Sequence, residues 1–140
     1  MMTQKIDILL IEDNENDAHL FKRVIKKEQL ATSHEWLKDG EEVIENLVKE
    51  KKWLPKVILL DLMLPKVNGF EVLAQIRADS LLANVPVVIL SSSNQIQDIK
   101  RAYHLGANSF LTKPDSYKDF KEQLKTLSTF WLKYNKNDLP

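Results

Sequence analysis

The sequence predicts an α/β fold, a parallel sheet enclosed by helices, on three observations. Short runs that are almost wholly apolar recur at Ile6 to Ile11, Val57 to Leu60 and Val85 to Leu90, and such runs fit strands buried on both faces. Stretches with apolar residues at helical spacing lie between them, the alternation expected of a parallel sheet with crossover helices. Two of the runs end abruptly in acid, Glu12-Asp13 after the first and Asp61 after the second. In open sheets of this class ligands bind in the crevice beyond the carboxyl ends of the strands, so these acids stand where a site belongs.

Each element has its own signature. Ile6 to Ile11 (I-D-I-L-L-I) is the first strand, and Asn16 and Asp17 suit the start of a helix with Ala18, Leu20, Phe21, Val24 and Ile25 on one face, running to about Glu28. Ser33 to Leu37 is short and mixed in polarity, as an edge strand is. Asp39 and Gly40 open a helix striped by Val43, Ile44, Leu47 and Val48 and closed before Pro55. The central strand, Val57 to Asp61, leads into a Leu64-Pro65 turn, and Gly69 introduces a helix carrying Phe70, Leu73 and Ile76. After a loop from Asp79 to Asn84, the strand Val85 to Leu90 tolerates Pro86 near its start and ends in Ser91, Ser92 and Ser93. Asn94 suits the cap of a helix striped by Ile96, Ile99, Ala102 and Tyr103 and ended by Gly106. Ser109 to Thr112 is a fifth strand stopped by Lys113-Pro114, and a last helix from about Tyr117 to Tyr134 aligns Phe120, Leu124, Leu127 and Trp131. Five strands alternating with five helices imply right-handed crossovers and a flavodoxin-like (βα)5 three-layer sandwich with strand order 2-1-3-4-5.

The 140 residues make one ordinary domain. Its expected core spans 5–128, with 129–140 as an extended C-terminal helix and tail. Lys+Arg and Asp+Glu are equal at 20 each, so no global field recruits nucleic acid or an anionic membrane. The absence of cysteine excludes disulfides, thiolate metal sites and cysteine nucleophiles. The start, M-M-T-Q-K-I-D, lacks the apolar segment of a signal peptide, and no run approaches a membrane span; the expectation is a cytoplasmic protein.

An isolated aspartate more often opens a turn than carries chemistry. Under the 2-1-3-4-5 order, however, the strand ends gather Glu12, Asp13, Asp61, Ser91 and Lys113 at one edge. Three carboxylates brought together repel, which raises a pKa or calls for a cation. A hard divalent ion such as Mg2+, held by oxygen ligands, resolves that repulsion. Lys113 and the Ser91 hydroxyl add a charge and a donor suited to a phosphoryl group. A carboxylate can attack phosphorus in line and form an aspartyl phosphate. Asp61 is the best-placed nucleophile, and Glu12 and Asp13 are better placed as metal ligands.

These residues resemble the receiver domains of two-component response regulators, and the likeness covers essentially the whole chain. It is carried by Glu12-Asp13, by D-L-M-L-P-K-V-N-G from Asp61 to Gly69, by V-V-I-L-S-S from Val87 to Ser92, and by G-A-N-S-F-L-T-K-P from Gly106 to Pro114. The resemblance implies Asp61 as phosphoacceptor, Asp13 and the Met63 carbonyl in the metal shell, and Lys113 as partner of the phosphoryl group. It implies a Lys113-Pro114 bond able to be cis, Ser91 as switch hydroxyl and Phe110 as switch aromatic. Phe110 is equally readable as a core residue of the fifth strand. The implied function is that of a single-domain regulator with at most self-phosphorylation and self-dephosphorylation activity, phosphorylated by a sensor histidine kinase and signalling through a downstream protein or phosphotransfer partner. Glu12 departs from the commoner aspartate and Ser91 from the commoner threonine.

The histidines, His19, His34 and His104, lie on unrelated elements and read as surface or partly packed residues. Phe130, Trp131 and Leu132 are consecutive, and neighbouring helical residues cannot all face one core, so at least one is expected at the surface. This F-W-L, with the closing Leu139-Pro140, resembles stand-alone regulators associated with bacterial phytochrome kinases, many of which pair as homodimers. Rival readings are a flavodoxin-like binder, a dimeric adaptor indifferent to phosphorylation, and a phosphatase of the haloacid dehalogenase type. The last usually needs a second aspartate where this chain has Met63.

Overall fold

The computed structural model describes residues 2–139. Its strands are β1 (Gln4–Ile11), β2 (His34–Leu37), β3 (Trp53–Leu60), β4 (Val87–Ser91) and β5 (Ser109–Thr112). They form one parallel sheet in the order β2-β1-β3-β4-β5, as the sequence predicts. The helices are α1 (Glu15–Lys27), α2 (Gly40–Val43, widening into a π-helical stretch over Ile44–Lys49), α3 (Gly69–Ala78), α4 (Ile96–His104) and α5 (Tyr117–Thr129, widening likewise over Phe130–Tyr134).

Alternation along the strands divides the core into two layers. Leu9, Ile11, Ile58 and Leu60 face α2 and α3 with Leu47, Leu73 and Ile76. Ile8, Leu10, Val57 and Leu59 face α1 and α5 with Phe21, Val24, Phe120 and Leu124. Each aliphatic side chain so buried contributes about 1.5–3 kcal/mol relative to exposure. The register pairs Ile11 with Leu37 and Leu60, Leu60 with Ile89, and Ser91 with Thr112, so β1, β2 and β3 finish level and β4 and β5 run two residues further at the same edge.

Several boundaries differ from the expectation. The cap of α1 is Asn14, whose side chain accepts from the Asp17 amide at 3.0 Å, so the helix starts before Asn16. Helix α4 follows Gln95 rather than Asn94 and has no side-chain cap. Strand β3 begins at Trp53 and takes in Pro55 opposite Ile6, ahead of the β4 pairing that starts at Ile58. The missing proline N–H therefore costs no bond to β4. The α4 stripe is only partly covered: Ala102 is buried, whereas Ile96 is 58% and Tyr103 47% exposed. Helical periodicity defines a stripe but not what lies over it.

Arg77, at the end of α3, joins two turns at the amino-terminal edge of the sheet. Its guanidinium donates to the Gly106 carbonyl at 2.9 Å, the Val85 carbonyl at 2.8 Å and Asn108 Oδ1 at 2.8 Å; that oxygen also accepts from the Val87 amide. Gly106 has φ +106°, and a Cβ there would lie 2.9 Å from Arg77 Nε, so glycine is needed twice over. At the C-terminus Trp131 and Leu132 pack on the α1/α5 layer while Phe130 is 48% exposed, the split expected of three consecutive helical residues. Leu139 packs against the opposite layer, and Pro140 lies outside the described residues.

Candidate functional site

Strand β3 delivers Asp61 one residue beyond its last ladder residue, where the Asp61 amide donates to the Ile11 carbonyl at 3.0 Å. Asp61 Oδ1 accepts from the Met63 amide at 3.0 Å, closing the turn on itself. Gly69 then brings α3 against this turn: a Cβ there would fall 2.4 Å from Leu62 Cα, and the Gly69 amide donates to the Leu62 carbonyl at 3.0 Å. Asp61 and Glu12 are buried, Asp13 and Met63 are exposed, and Ser91 is fully buried at the end of β4.

Lys113 meets these groups from β5. Its Nζ lies 2.6 Å from Glu12 Oε1, 3.0 Å from Asp61 Oδ2 and 3.0 Å from Asp17 Oδ2. Its backbone amide donates to the Ser91 carbonyl at 2.8 Å, which ties the β5 end to the β4 end. The Lys113–Pro114 bond is trans, not cis. Ser91 Oγ accepts from the Ser93 amide at 3.2 Å, and Ser93 Oγ donates to Asp98 Oδ2 on α4 at 2.6 Å. Phe110 is half-buried against the α2–α4 layer, and its amide donates to the Tyr103 hydroxyl at 3.1 Å.

All five strand-end residues singled out in the sequence, Glu12, Asp13, Asp61, Ser91 and Lys113, come together at one edge. Asp17 joins them unannounced, because in the sequence it reads only as a residue suited to a helix start. Its position in the first turn of a helix that follows the acidic pair is the signal that was available.

Carboxylate oxygens of Glu12, Asp13 and Asp61 lie within 4.8 Å of one another. Burial, reinforced by the neighbouring Asp61, pushes the Glu12 carboxyl up to about 8 despite the opposing charge of Lys113. Burial also works against the charge on Lys113, but Glu12 and Asp61 together outweigh it and hold the amine above its ordinary value. One ammonium therefore serves more carboxylates than it can neutralise, which leaves the cluster with an excess of negative charge. A hard divalent cation would offset that excess, and a donor set made only of oxygens fits such an ion.

A parallel sheet with acids at the ends of its first and third strands and a lysine at the end of its fifth describes a response regulator receiver domain. The chain belongs to that family, whose model matches residues 8–125. It is similar to the probable methanogenesis regulatory protein FilR2 of Methanothrix harundinacea, 39% identical over 95% of this chain and 88% of that protein. Response regulator Rcp1 of Synechocystis is 36% identical over 89% of this chain and 88% of its own length. Its Mn2+-bound structure superposes with a TM-score of 0.82, covering 96% of this chain and 99% of that one. The phosphorylated cyanobacterial phytochrome response regulator RcpA is 33% identical with a TM-score of 0.88, covering 98% and 99%. The family is one of regulatory domains phosphorylated by histidine kinases. Among the described residues no helix is long and apolar enough to cross a membrane.

Proposed function

We propose that Asp61 is the phosphoacceptor of this receiver domain. Its carboxylate attacks the phosphorus of a phosphohistidine on a sensor kinase in line; the O–P bond forms as the N–P bond breaks, and the imidazole keeps the electron pair. The observation that carries this reading is the 3.0 Å contact between Asp61 and Lys113 inside a cluster of acids. Glu12, Asp13, Asp61 and the Met63 carbonyl would hold Mg2+, which when bound supplies positive charge to the transferring phosphoryl oxygens. Lys113 exchanges a carboxylate for a phosphoryl oxygen, and the Ser91 hydroxyl supplies a donor from the β4 side. Movement of Ser91 releases space beside β4 that Phe110 fills, and α4 and β5 carry the change to a downstream partner.

Incubation with acetyl phosphate and Mg2+ should yield a hydroxylamine-sensitive acyl phosphate, visible by intact mass, that Asp61→Asn abolishes. Persistence of the adduct in that variant would refute the assignment.

A kinase of the phytochrome type is the partner suggested by similarity to RcpA and Rcp1. A second copy of the chain fits the C-terminal region, where half-exposed Phe130 borders a groove of about 450 Å³ formed with Leu111, Leu127 and Trp131. Phe130→Asp should shift a dimer to monomer in sedimentation without changing phosphorylation. Residues 129–140 then serve assembly rather than phosphotransfer.

A further inference from the structure

We propose that Trp36, on the edge strand β2, is a positioning residue for the acidic pair and sets metal affinity through its indole N–H. The inference rests on the metal-dependent reading of the site above. The ladder of β1 ends at Ile11, so the acids that follow lack the regular pairing that fixes a strand. Strand β2 replaces it from two sides. The Glu12 amide donates to the Leu37 carbonyl at 3.0 Å, and the Glu12 carbonyl accepts from Trp36 Nε1 at 2.7 Å.

Both peptide groups flanking Glu12 are therefore anchored to the neighbouring strand, and Asp13, itself exposed, is launched from the anchored carbonyl. Without the indole bond that peptide plane is free to rotate, carrying the Asp13 carboxylate away from Glu12 and Asp61. The ring is held in turn. Lys22 Nζ lies 4.7 Å and Lys38 Nζ 5.6 Å from its centroid, and His19 meets it edge-on at 5.9 Å. Packing alone would account for an aromatic residue on β2. It does not account for a short hydrogen bond to the main chain of a ligand residue, and outer partners of metal ligands are the groups that tune affinity.

In the 15N-labelled 140-residue chain, Mg2+ titration should move the Trp36 indole resonance while those of Trp53 and Trp131 stay in place. Trp36→Phe, which keeps the ring and loses the donor, should raise half-saturating Mg2+ about tenfold and leave the phosphorylation rate at saturating Mg2+ unchanged. A purely structural role would lower the melting temperature without moving the metal requirement. A wild-type protein whose amides around Asp61 ignore Mg2+ would sink the site reading and this inference together. If those amides respond but the Trp36 indole does not, or Trp36→Phe saturates at the wild-type concentration, the inference alone falls. Should the variant fail to fold, the wild-type indole titration decides.

Discussion

Strands β3 and β5 end at the same edge and face each other across the site, yet they are held very differently. Six of the eight β3 residues are buried, whereas β5 has none. The helices that follow and precede them repeat the contrast: α3 buries Val72, Leu73 and Ile76 completely, and α4 buries Ala102 alone. Asp61 is thus mounted on the densest part of the molecule, while Lys113 and Phe110 ride on its least constrained strand. A nucleophile needs a fixed position, and a segment that reports a modification needs a low cost of rearrangement. On the proposed reading, the packing suits Asp61 to the first role and the β5 segment to the second.

The contrast can be broken most directly by truncation. Leu59→Ala should cost about 3 kcal/mol of unfolding free energy, whereas Ile96→Ala on α4 should cost under about 0.5 kcal/mol, both read by urea denaturation. Comparable losses would mean that the two regions are equally packed.

A smaller effect concerns pH. Burial beside Asp61 pushes the Glu12 carboxyl up to about 8, so a metal competes with a proton there. Apparent Mg2+ affinity should rise about tenfold from pH 6 to 7 and level off above about 8. The folded-state value lies above the ordinary carboxylate value, so this group favours the metal-free fold at low pH, and that contribution is lost as pH rises through about 8. Chemical denaturation of metal-free protein across that window should show the decline; Glu12→Gln should remove both dependences.

The smallest effect separates the two sides of the pocket. Ser91→Ala should leave stability within about 1 kcal/mol of wild type and leave Mg2+ binding intact. It should shrink the amide shifts that beryllium fluoride with Mg2+ produces around Phe110 and α4. Undiminished shifts would remove Ser91 from the switch.

Strand order and the strand-end cluster were legible because both follow from a coarse signal: apolar runs long enough to be strands, each followed by residues too polar to continue them. Helix starts were less legible. Asn14, Asn16 and Asp17 are all competent caps, and the choice of Asn14 depends on where β1 releases the chain. That choice turned Asp17 from a cap into a partner of Lys113. Pro55 hid the start of β3, because a proline argues against a central strand, and here it is accommodated where pairing with β1 has begun but pairing with β4 has not. The Trp36–Glu12 bond leaves no trace in local pattern, since it joins residues brought near only by the pairing of β1 with β2.

The Arg77 clasp gives α4 two unlike ends. Beyond its C-terminus, Gly106 and Asn108 are fastened to the guanidinium and, through it, to the turn before β4. Near its N-terminus, the restraints are local ones through the Ser93 hydroxyl, which donates to Asp98 and accepts from the Gln95 amide at 3.3 Å. Under the proposed switch, a displacement begun at the hydroxyls would therefore be largest at the N-terminal end of this helix and die away over its length toward the clasped end.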